Sequence, residues 1–191
     1  MPQARNRSPG KLRIIGGNLR GSRIDVADME GLRPTSDRIR ETLFNWLSPM
    51  IEGARCLDLF AGTGALGIEA RSRGAGECVF VERDRDQARQ LEATLARLKL
   101  DGVSVVNADA LGWLAHATKP FDLVFLDPPF AGDLWAEAAR RLDANGWLAP
   151  NAWIYVEAPR GRSIELPENW ARHRDGQAGE VQFGLYRRGG G

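Results

Sequence analysis

With 191 residues, the chain is long enough for one domain and a modest extension. Its hydrophobic content of 43% supports a substantial core, but no apolar run approaches the ~20 residues that a membrane-spanning helix needs. The net charge of +1 at pH 7 is nearly balanced, so the composition excludes a chain that is basic throughout.

The cysteines and the N-terminus indicate a reduced, cytoplasmic setting. Cys56 and Cys78 both fall in predicted buried strands, where a thiol packs as a small apolar side chain. The sequence has no cluster of cysteine and histidine, so we expect no metal site. Residues 1–7 have no hydrophobic segment behind them, and we therefore expect no secretory signal.

The basic residues are concentrated at the start of the chain. No acidic residue precedes Asp25, and the basic residues before it are Arg5, Arg7, Lys11, Arg13, Arg20 and Arg23. Such clustering is typical of a segment that faces nucleic acid. We interpret residues 1–10 as a solvated tail and residues 11–23 as a contact with RNA. Apolar residues on both sides of Gly16-Gly17-Asn18 predict a β-hairpin there.

A helix is predicted to follow this basic segment. Ser36 is a typical N-cap residue, and Ile39 and Leu43 share one face at the helical period. Arg38 and Glu41 lie on the same helix, where the default interpretation is a solvated surface charge.

The rest of the chain alternates between strand and helix patterns. The predicted strands are 55–60, 77–82, 103–107, 121–126 and 152–157, with a late pair near 170–174 and 180–187. The predicted helices are 65–73, 86–99, 109–116 and 134–143. This alternation predicts an α/β fold with a doubly wound, mostly parallel sheet. The late pair has no helix between its strands and therefore predicts an antiparallel edge hairpin.

A glycine loop follows the first strand of this sheet. Gly62, Gly64 and Gly67 match the G-x-G-x-x-G pattern of dinucleotide-binding proteins, and the predicted helix begins directly after Gly64. The match alone is weak, and it leaves a nicotinamide-dependent oxidoreductase as one interpretation. Asp58, at the strand end, argues against that interpretation. Its carboxylate would repel a pyrophosphate but would pair with a ligand's ammonium group.

Acidic residues also end the next two strands. Glu82 lies ~20 residues past the glycine loop, where an acidic residue can hold both hydroxyls of a ribose. A solvated charge is the simpler alternative. Asp109, after the third strand, can accept from an adenine amino group or can cap the following helix. The sequence leaves both roles of Asp109 open.

The tetrad Asp127-Pro128-Pro129-Phe130 follows the apolar strand 121–126. Asp127 and Pro128 each precede a proline, which favours extended backbone, and prolines have no N–H to compete as donors. The Asp127 carboxylate and the Pro128 carbonyl can then accept from one amino group, while Phe130 stacks on the ring that carries it. The alternative is a stiff turn in which Asp127 merely ends the strand. We assign Trp135 to packing rather than to the border of a base pocket.

Taken in order, these elements resemble the class I S-adenosylmethionine-dependent methyltransferases. Residues 13–21, 32–47, the glycine loop and the tetrad resemble, more specifically, the bacterial RsmD family of small-subunit ribosomal RNA guanine-N2 methyltransferases. The resemblance extends from about Lys11 to Arg187, and the block from Arg33 to Leu47 is its specific part.

The resemblance implies a role for each group of residues. S-adenosylmethionine would be bound by Asp58, Phe60, Ala61, Gly62, Thr63, Gly64, Glu82, Asp109 and Ala110. The guanine amine would lie at Asp127, Pro128, Pro129 and Phe130. Independently of the resemblance, the clustered charge assigns Lys11, Arg13, Arg20 and Arg23 to contact with small-subunit ribosomal RNA, naked or in an assembled particle. The next candidates are Arg33, Arg38 and Arg40.

The expected organisation is a basic arm with a β-hairpin at 1–32, a methyltransferase domain at 33–188 and a flexible tail at 189–191. We expect a monomer without a membrane partner. The tetrad chemistry alone also allows a DNA adenine-N6 or cytosine-N4 methyltransferase. A non-catalytic RNA-binding module is a further alternative, and the presence of Asp58, Glu82 and Asp127 argues against it.

Overall fold

The computed structural model describes residues 10–26, 36–116 and 119–189. Strands β1 (Gly10–Arg13) and β2 (Arg23–Val26) form the antiparallel hairpin that the sequence predicts. Helix α1 (Asp37–Leu47) comes next, and the Oγ of Ser36 accepts a hydrogen bond from the N–H of Ile39 at 3.3 Å. Ser36 is therefore the N-cap, as predicted.

The remaining strands and helices alternate through the rest of the described chain. They are β3 (Arg55–Asp58), α2 (Ala65–Ser72), β4 (Glu77–Glu82), α3 (Arg85–Arg97), β5 (Val103–Asn107), α4 (Ala110–Trp113), β6 (Phe121–Leu126), α5 (Trp135–Ala144), β7 (Leu148–Pro159), β8 (Trp170–Ala178) and β9 (Val181–Arg188). The bounds of β4, β5 and β6 match the prediction. β3 is shorter than predicted, because the chain turns into the glycine loop directly after Asp58.

One seven-stranded sheet organises these elements in the order β5-β4-β3-β6-β7-β9-β8. The first five strands in this order pair in parallel, and β9 pairs antiparallel with both β7 and β8. This confirms the predicted doubly wound sheet with an antiparallel edge hairpin. The chain order reverses between β3 and β6, which is the switch point where open α/β sheets place their ligands.

Two apolar clusters cover the two faces of the sheet. The first joins residues of α1, α2 and α3 to the hairpin, and the second joins residues of α4 and α5. Cys56 and Cys78 are both buried in the first cluster, as predicted. The described part of the chain contains no helix that is long and apolar enough to cross a membrane.

The hairpin is docked on α2 rather than projecting from the domain. Leu12 and Ile24 are buried in the first apolar cluster. The buried carboxylate of Glu69 on α2 accepts hydrogen bonds from the N–H groups of Ile15 and Gly16, at 3.0 and 2.9 Å. The hairpin therefore has a fixed position on the domain.

The connection between β1 and β2 is longer than the predicted turn at Gly16-Gly17-Asn18. It covers residues 14–22, and Ser72 at the end of α2 holds it. The Ser72 carbonyl accepts from the N–H of Asn18 at 2.8 Å, and its hydroxyl donates to the Gly16 carbonyl at 2.6 Å. The docking on α2 replaces a short hairpin turn with this wider loop.

Candidate active site

A cleft of about 1250 Å³ opens at the carboxyl ends of the parallel strands. It brings together predicted residues that lie far apart in the sequence, namely Asp58, Phe60, Ala61, Gly62, Thr63, Glu82, Asp109, Ala110, Asp127, Pro128, Pro129 and Phe130. Pockets for a single small ligand typically measure ~300–1,000 Å³. This cleft therefore has room for two reacting groups.

Packing as well as ligand access explains the glycine loop. Gly64 caps α2 in the left-handed region with φ +80°, and a Cβ there would lie 2.4 Å from Leu91 Cδ1. A Cβ on Gly67 would lie 2.3 Å from the Phe80 ring. Gly64 and Gly67 are thus required by the close approach of α2 to its neighbours. Gly62 lines the cleft and donates its N–H to Glu82.

Asp58 ends β3 and is only 2% exposed. Its Oδ2 accepts a hydrogen bond from the N–H of Gly67 at 3.0 Å. Burial raises the pKa of Asp58 to about 7, against the opposing effect of that hydrogen bond and with a smaller contribution from the charge of Glu82. A cationic group in the cleft would therefore favour the charged form of Asp58 near neutral pH.

The Glu82 carboxylate is held beside the glycine loop by two backbone donors. Its Oε2 accepts from the N–H of Gly62 at 2.8 Å, and its Oε1 accepts from the N–H of Asp84 at 2.9 Å. A carboxylate has about four lone-pair positions, so the hydroxyls of a ligand can still donate to it. This fixed geometry suits the predicted grip on a ribose.

Asp109 caps α4, which is one of the two roles that the sequence leaves open. Its Oδ2 accepts a hydrogen bond from the N–H of Gly112 at 3.0 Å. Asp109 and Ala110 also line the cleft. The capping role is confirmed, and a contact with an adenine amine stays a prediction.

The tetrad leaves the end of β6 and enters the cleft. Asp127 is half-buried, Pro128 is buried, and Pro129 is exposed. The Phe130 ring tilts against Trp135, with 6.1 Å between ring centroids. Trp135 is fully buried and donates its Nε1–H to the carbonyl of Glu157 at 2.8 Å. Trp135 therefore packs in the core, as predicted, and its ring contacts Phe130.

Glu157 at this end of the cleft and the buried Tyr155 beside it are two further polar residues that were not identified from the sequence. Glu157 on β7 lines the cleft and is 5% exposed. The buried Tyr155 donates its hydroxyl to Glu157 Oε2 at 2.8 Å. Burial, followed by the charges of Glu157 and Asp127, raises the pKa of Tyr155 well above its usual range, so the hydroxyl keeps its proton. The available signal was a single acid within the apolar run of β7.

The hairpin presents its basic side chains to solvent. The four predicted there, Lys11, Arg13, Arg20 and Arg23, are all exposed. The strand register places Arg13 directly opposite Arg23, and Lys11 opposite Asp25. Facing residues share one side of a strand pair, so Arg13 and Arg23 lie side by side. The sequence before Asp25 contains no acidic residue, but in the folded hairpin Asp25 adds a negative charge opposite Lys11. The hairpin surface is therefore less uniformly positive than the sequence suggests.

The remaining predicted RNA contacts differ from one another. Arg33 lies outside the described residues. Arg38 is exposed on α1, next to the cleft-lining Ile39. The prediction for Arg40 is wrong, because Arg40 is fully buried and its Nη1 lies 3.4 Å from the Glu69 carboxylate. The helical period turns Arg40 toward the core, where it pairs with Glu69 and stabilises the fold.

The sheet order, the glycine loop after β3 and the cleft at the strand ends define a Rossmann-like methyltransferase fold. The solved structure of yhhF from Escherichia coli, described as a candidate methyltransferase, matches with a TM-score of 0.88 and 47% identity. This match covers 94% of this chain and 99% of that one.

The chain belongs to the RsmD family. The sequence model of the family described as conserved hypothetical protein 95 matches residues 12–187. Ribosomal RNA small subunit methyltransferase D of Escherichia coli is 48% identical over 189 residues, which are 98% of this chain and 96% of that protein. The protein of the same description in Haemophilus influenzae is 45% identical, over 93% of this chain and 94% of its own length.

Proposed function

We propose that this chain transfers a methyl group from S-adenosylmethionine to the exocyclic N2 amine of a guanine in small-subunit ribosomal RNA. The names of its relatives support the reaction type and the class of RNA. One observation supports an amine as the group that accepts the methyl. The acceptor-rich Asp127-Pro128 segment enters the same cleft as Gly62 of the glycine loop and Glu82.

The residues of the cleft fit this methyl donor. Glu82 is oriented by two backbone N–H groups and would hold the ribose hydroxyls. Asp58 is buried in the cleft and would pair with the ammonium group. Asp109 would accept from the adenine amine. When bound, the donor supplies a methyl group that is activated by its positively charged sulfur.

The tetrad would make the guanine amine reactive. The lone pair of that nitrogen is delocalised into the ring, which makes it a poor nucleophile. Acceptors at Asp127 and Pro128 would hold both N–H bonds and favour a pyramidal nitrogen whose lone pair faces the methyl group. They would also stabilise the positive charge that develops on nitrogen. One proton then leaves the nitrogen, and Asp127 would accept it.

The surrounding surface supports an RNA substrate. A base must leave its stack to reach a buried pocket, and Phe130 would stack on the extruded guanine. The hairpin would hold phosphates through Arg13 and Arg23, which are exposed on one side of it. The docking of the hairpin on α2 gives these charges a fixed position relative to the cleft.

The test is to incubate the protein with isotopically labelled S-adenosylmethionine and small-subunit particles, and in parallel with naked ribosomal RNA. Nuclease digestion and mass spectrometry then identify the modified base. The expected product is one guanine methylated at N2. Label on adenine N6 or cytosine N4 would overturn the guanine assignment. Tight binding of NADH without binding of S-adenosylmethionine would overturn the reaction itself.

A further inference from the structure

The cleft contains a second carboxylate next to the tetrad. Strands β6 and β7 pair in parallel with Leu126 opposite Val156. The next residues therefore lie side by side: Asp127 directly follows the end of β6, and Glu157 lies within β7. Both residues line the cleft. A group held by Asp127 would thus have Glu157 as its neighbour.

Tyr155 fixes the direction of this second carboxylate. Residues two apart on a strand point to the same face, and the Tyr155 hydroxyl donates to Glu157 Oε2 at 2.8 Å. The Tyr155 ring is itself held between two core rings, with centroid distances of 6.3 Å to Phe125 and 6.4 Å to Phe183. Glu157 is therefore oriented by a buried phenol on a central strand and not by a loop.

Hydrogen-bonding patterns distinguish the bases that carry an exocyclic amine. In guanine the N2 amine lies between the N1–H donor and the N3 acceptor, so guanine alone offers a ring donor beside its amine. In adenine the N6 amine is flanked by the N1 acceptor, and in cytosine the N4 amine is flanked by the N3 acceptor. An ionised carboxylate only accepts. A carboxylate beside the amine site therefore attracts the N1–H of guanine, and it repels the acceptor nitrogens N1 of adenine and N3 of cytosine.

We propose, on the basis of the function proposed above, that Glu157 accepts a hydrogen bond from N1–H of the target guanine and thereby selects guanine over adenine and cytosine. Tyr155 is the positioning residue of this pair. Asp127 and Pro128 then accept hydrogen bonds from the amine. Any base with an exocyclic amine can make these bonds, so they do not select guanine. A site that bonds a specific substrate donor rejects an analogue that lacks it far more strongly than a purely apolar site does.

The test compares guanine with 2-aminopurine at the methylated position of reconstituted small-subunit particles. 2-Aminopurine keeps the amine but replaces N1–H with an acceptor. The wild-type protein is expected to prefer guanine in kcat/KM. Glu157→Gln should lower kcat/KM for guanine by about tenfold or more, since a charge-assisted hydrogen bond is lost. It should not lower kcat/KM for 2-aminopurine, because the new amide can donate to N1.

The ratio of the two kcat/KM values is the deciding quantity. 2-Aminopurine also lacks the guanine O6, and this difference affects the ratio equally in every protein variant. Comparing the ratio of the wild-type protein with that of a variant therefore removes the effect of O6. Tyr155→Phe keeps the ring and removes the hydroxyl, so it should lower the ratio by less than Glu157→Gln does. Glu92→Gln, an exposed substitution on α3, is the matched control and should leave the ratio unchanged.

Different outcomes overturn the two proposals. If the wild-type protein methylates guanine N2 and Glu157→Gln leaves the ratio unchanged, the role of Glu157 is wrong and the proposed function stands. If the wild-type protein methylates a different base, the proposed function is wrong and the role of Glu157 falls with it. Calorimetric binding of the donor by each variant shows that the fold is intact, so a misfolded variant is not mistaken for either outcome.

Discussion

Glu69 and Arg40 form an ion pair inside the protein, with 3.4 Å between Glu69 Oε2 and Arg40 Nη1 and neither side chain exposed. The same carboxylate accepts the N–H groups of Ile15 and Gly16 and pairs with Arg73 at 2.9 Å. One buried group thereby joins α1, α2 and the hairpin loop. Removing it would leave both the Arg40 charge and two backbone donors without this acceptor.

Glu69→Ala is therefore expected to lower the free energy of unfolding by ~3–5 kcal/mol, the usual effect of removing one partner of a buried pair. Urea denaturation followed by circular dichroism measures it. Glu137→Ala is the control, because Glu137 also pairs with two arginines, Arg140 and Arg141, but at a partly exposed surface site. That change should cost less than ~1 kcal/mol. Equal effects of the two substitutions would contradict the structural role of Glu69.

The regular elements could be predicted from the sequence, because their signals are local. The apolar run 121–126 is bounded by prolines and gives β6 with its observed bounds. Ser36 caps α1 through a contact three residues away. The acids at strand ends, such as Asp58 and Glu82, could be placed in one cleft since parallel strands share an edge of the sheet.

The contacts between distant segments could not be predicted in this way. The bonds from Ile15 and Gly16 to Glu69 span 54 and 53 residues, and nothing near Glu69 in the sequence indicates them. Arg40 was a further candidate for the RNA surface, but it is fully buried. Its burial depends on Glu69, which lies on another helix. Glu157 was missed for a related reason, since its significance depends on a neighbouring strand.

The pKa of Asp58 makes donor affinity depend on pH. At pH values below about 7 Asp58 is mainly protonated in the free protein. An ammonium group favours the carboxylate, so binding there must release that proton. Below pH about 7, the affinity for S-adenosylhomocysteine should therefore decrease with falling pH, with a limiting slope of about tenfold per pH unit.

Isothermal titration calorimetry between pH 5 and 8.5 in buffers of different ionisation enthalpy measures both the affinity and the released proton. Asp58→Asn keeps the shape of the side chain but cannot titrate. It should bind more weakly at pH 7.5 and should lose the slope on the acid side. A wild-type affinity that does not change between pH 5 and 7.5 would rule out the pairing of Asp58 with the ammonium group.

Glu82→Ala should weaken binding of S-adenosylmethionine. The ribose would lose hydrogen bonds to a charged acceptor, each worth ~1.5–3 kcal/mol. Glu82→Gln keeps one acceptor oxygen and should lose less. Calorimetric titration gives both values. If Glu82→Ala bound the donor as tightly as the wild-type protein, the ribose would have to be held elsewhere in the cleft.

Asp127→Ala should separate catalysis from donor binding. We assign Asp127 to the amine of the base, so its loss should abolish methyl transfer to small-subunit particles and leave donor affinity nearly unchanged. Single-turnover assays with labelled donor, together with calorimetry, measure the two quantities. Near-normal turnover in this variant would show that the carboxylate has no part in the reaction.

The exposed pair Arg13 and Arg23 provides a test of the RNA surface. Like charges directly opposite on a strand pair destabilise it, and a polyanion bound across both would relieve that repulsion. Deleting residues 1–24 would also remove the buried Leu12, Ile14 and Ile24 from the core, so substitution is the cleaner experiment. In the double variant Arg13→Gln with Arg23→Gln, only exposed side chains change.

This double variant should bind ribosomal RNA more weakly and depend less on salt. Each phosphate contact contributes ~0.7–0.9 to the slope of log K against log salt, so losing two should reduce the slope by ~1.4–1.8. Fluorescence titrations across a salt series measure it. Lys119→Gln with Arg140→Gln removes the same charge from exposed positions outside the hairpin. Because neither residue lies on the proposed RNA surface, this control should keep the wild-type slope. Equal slopes for the two double variants would show that the hairpin attracts RNA no more than any other basic surface of the protein.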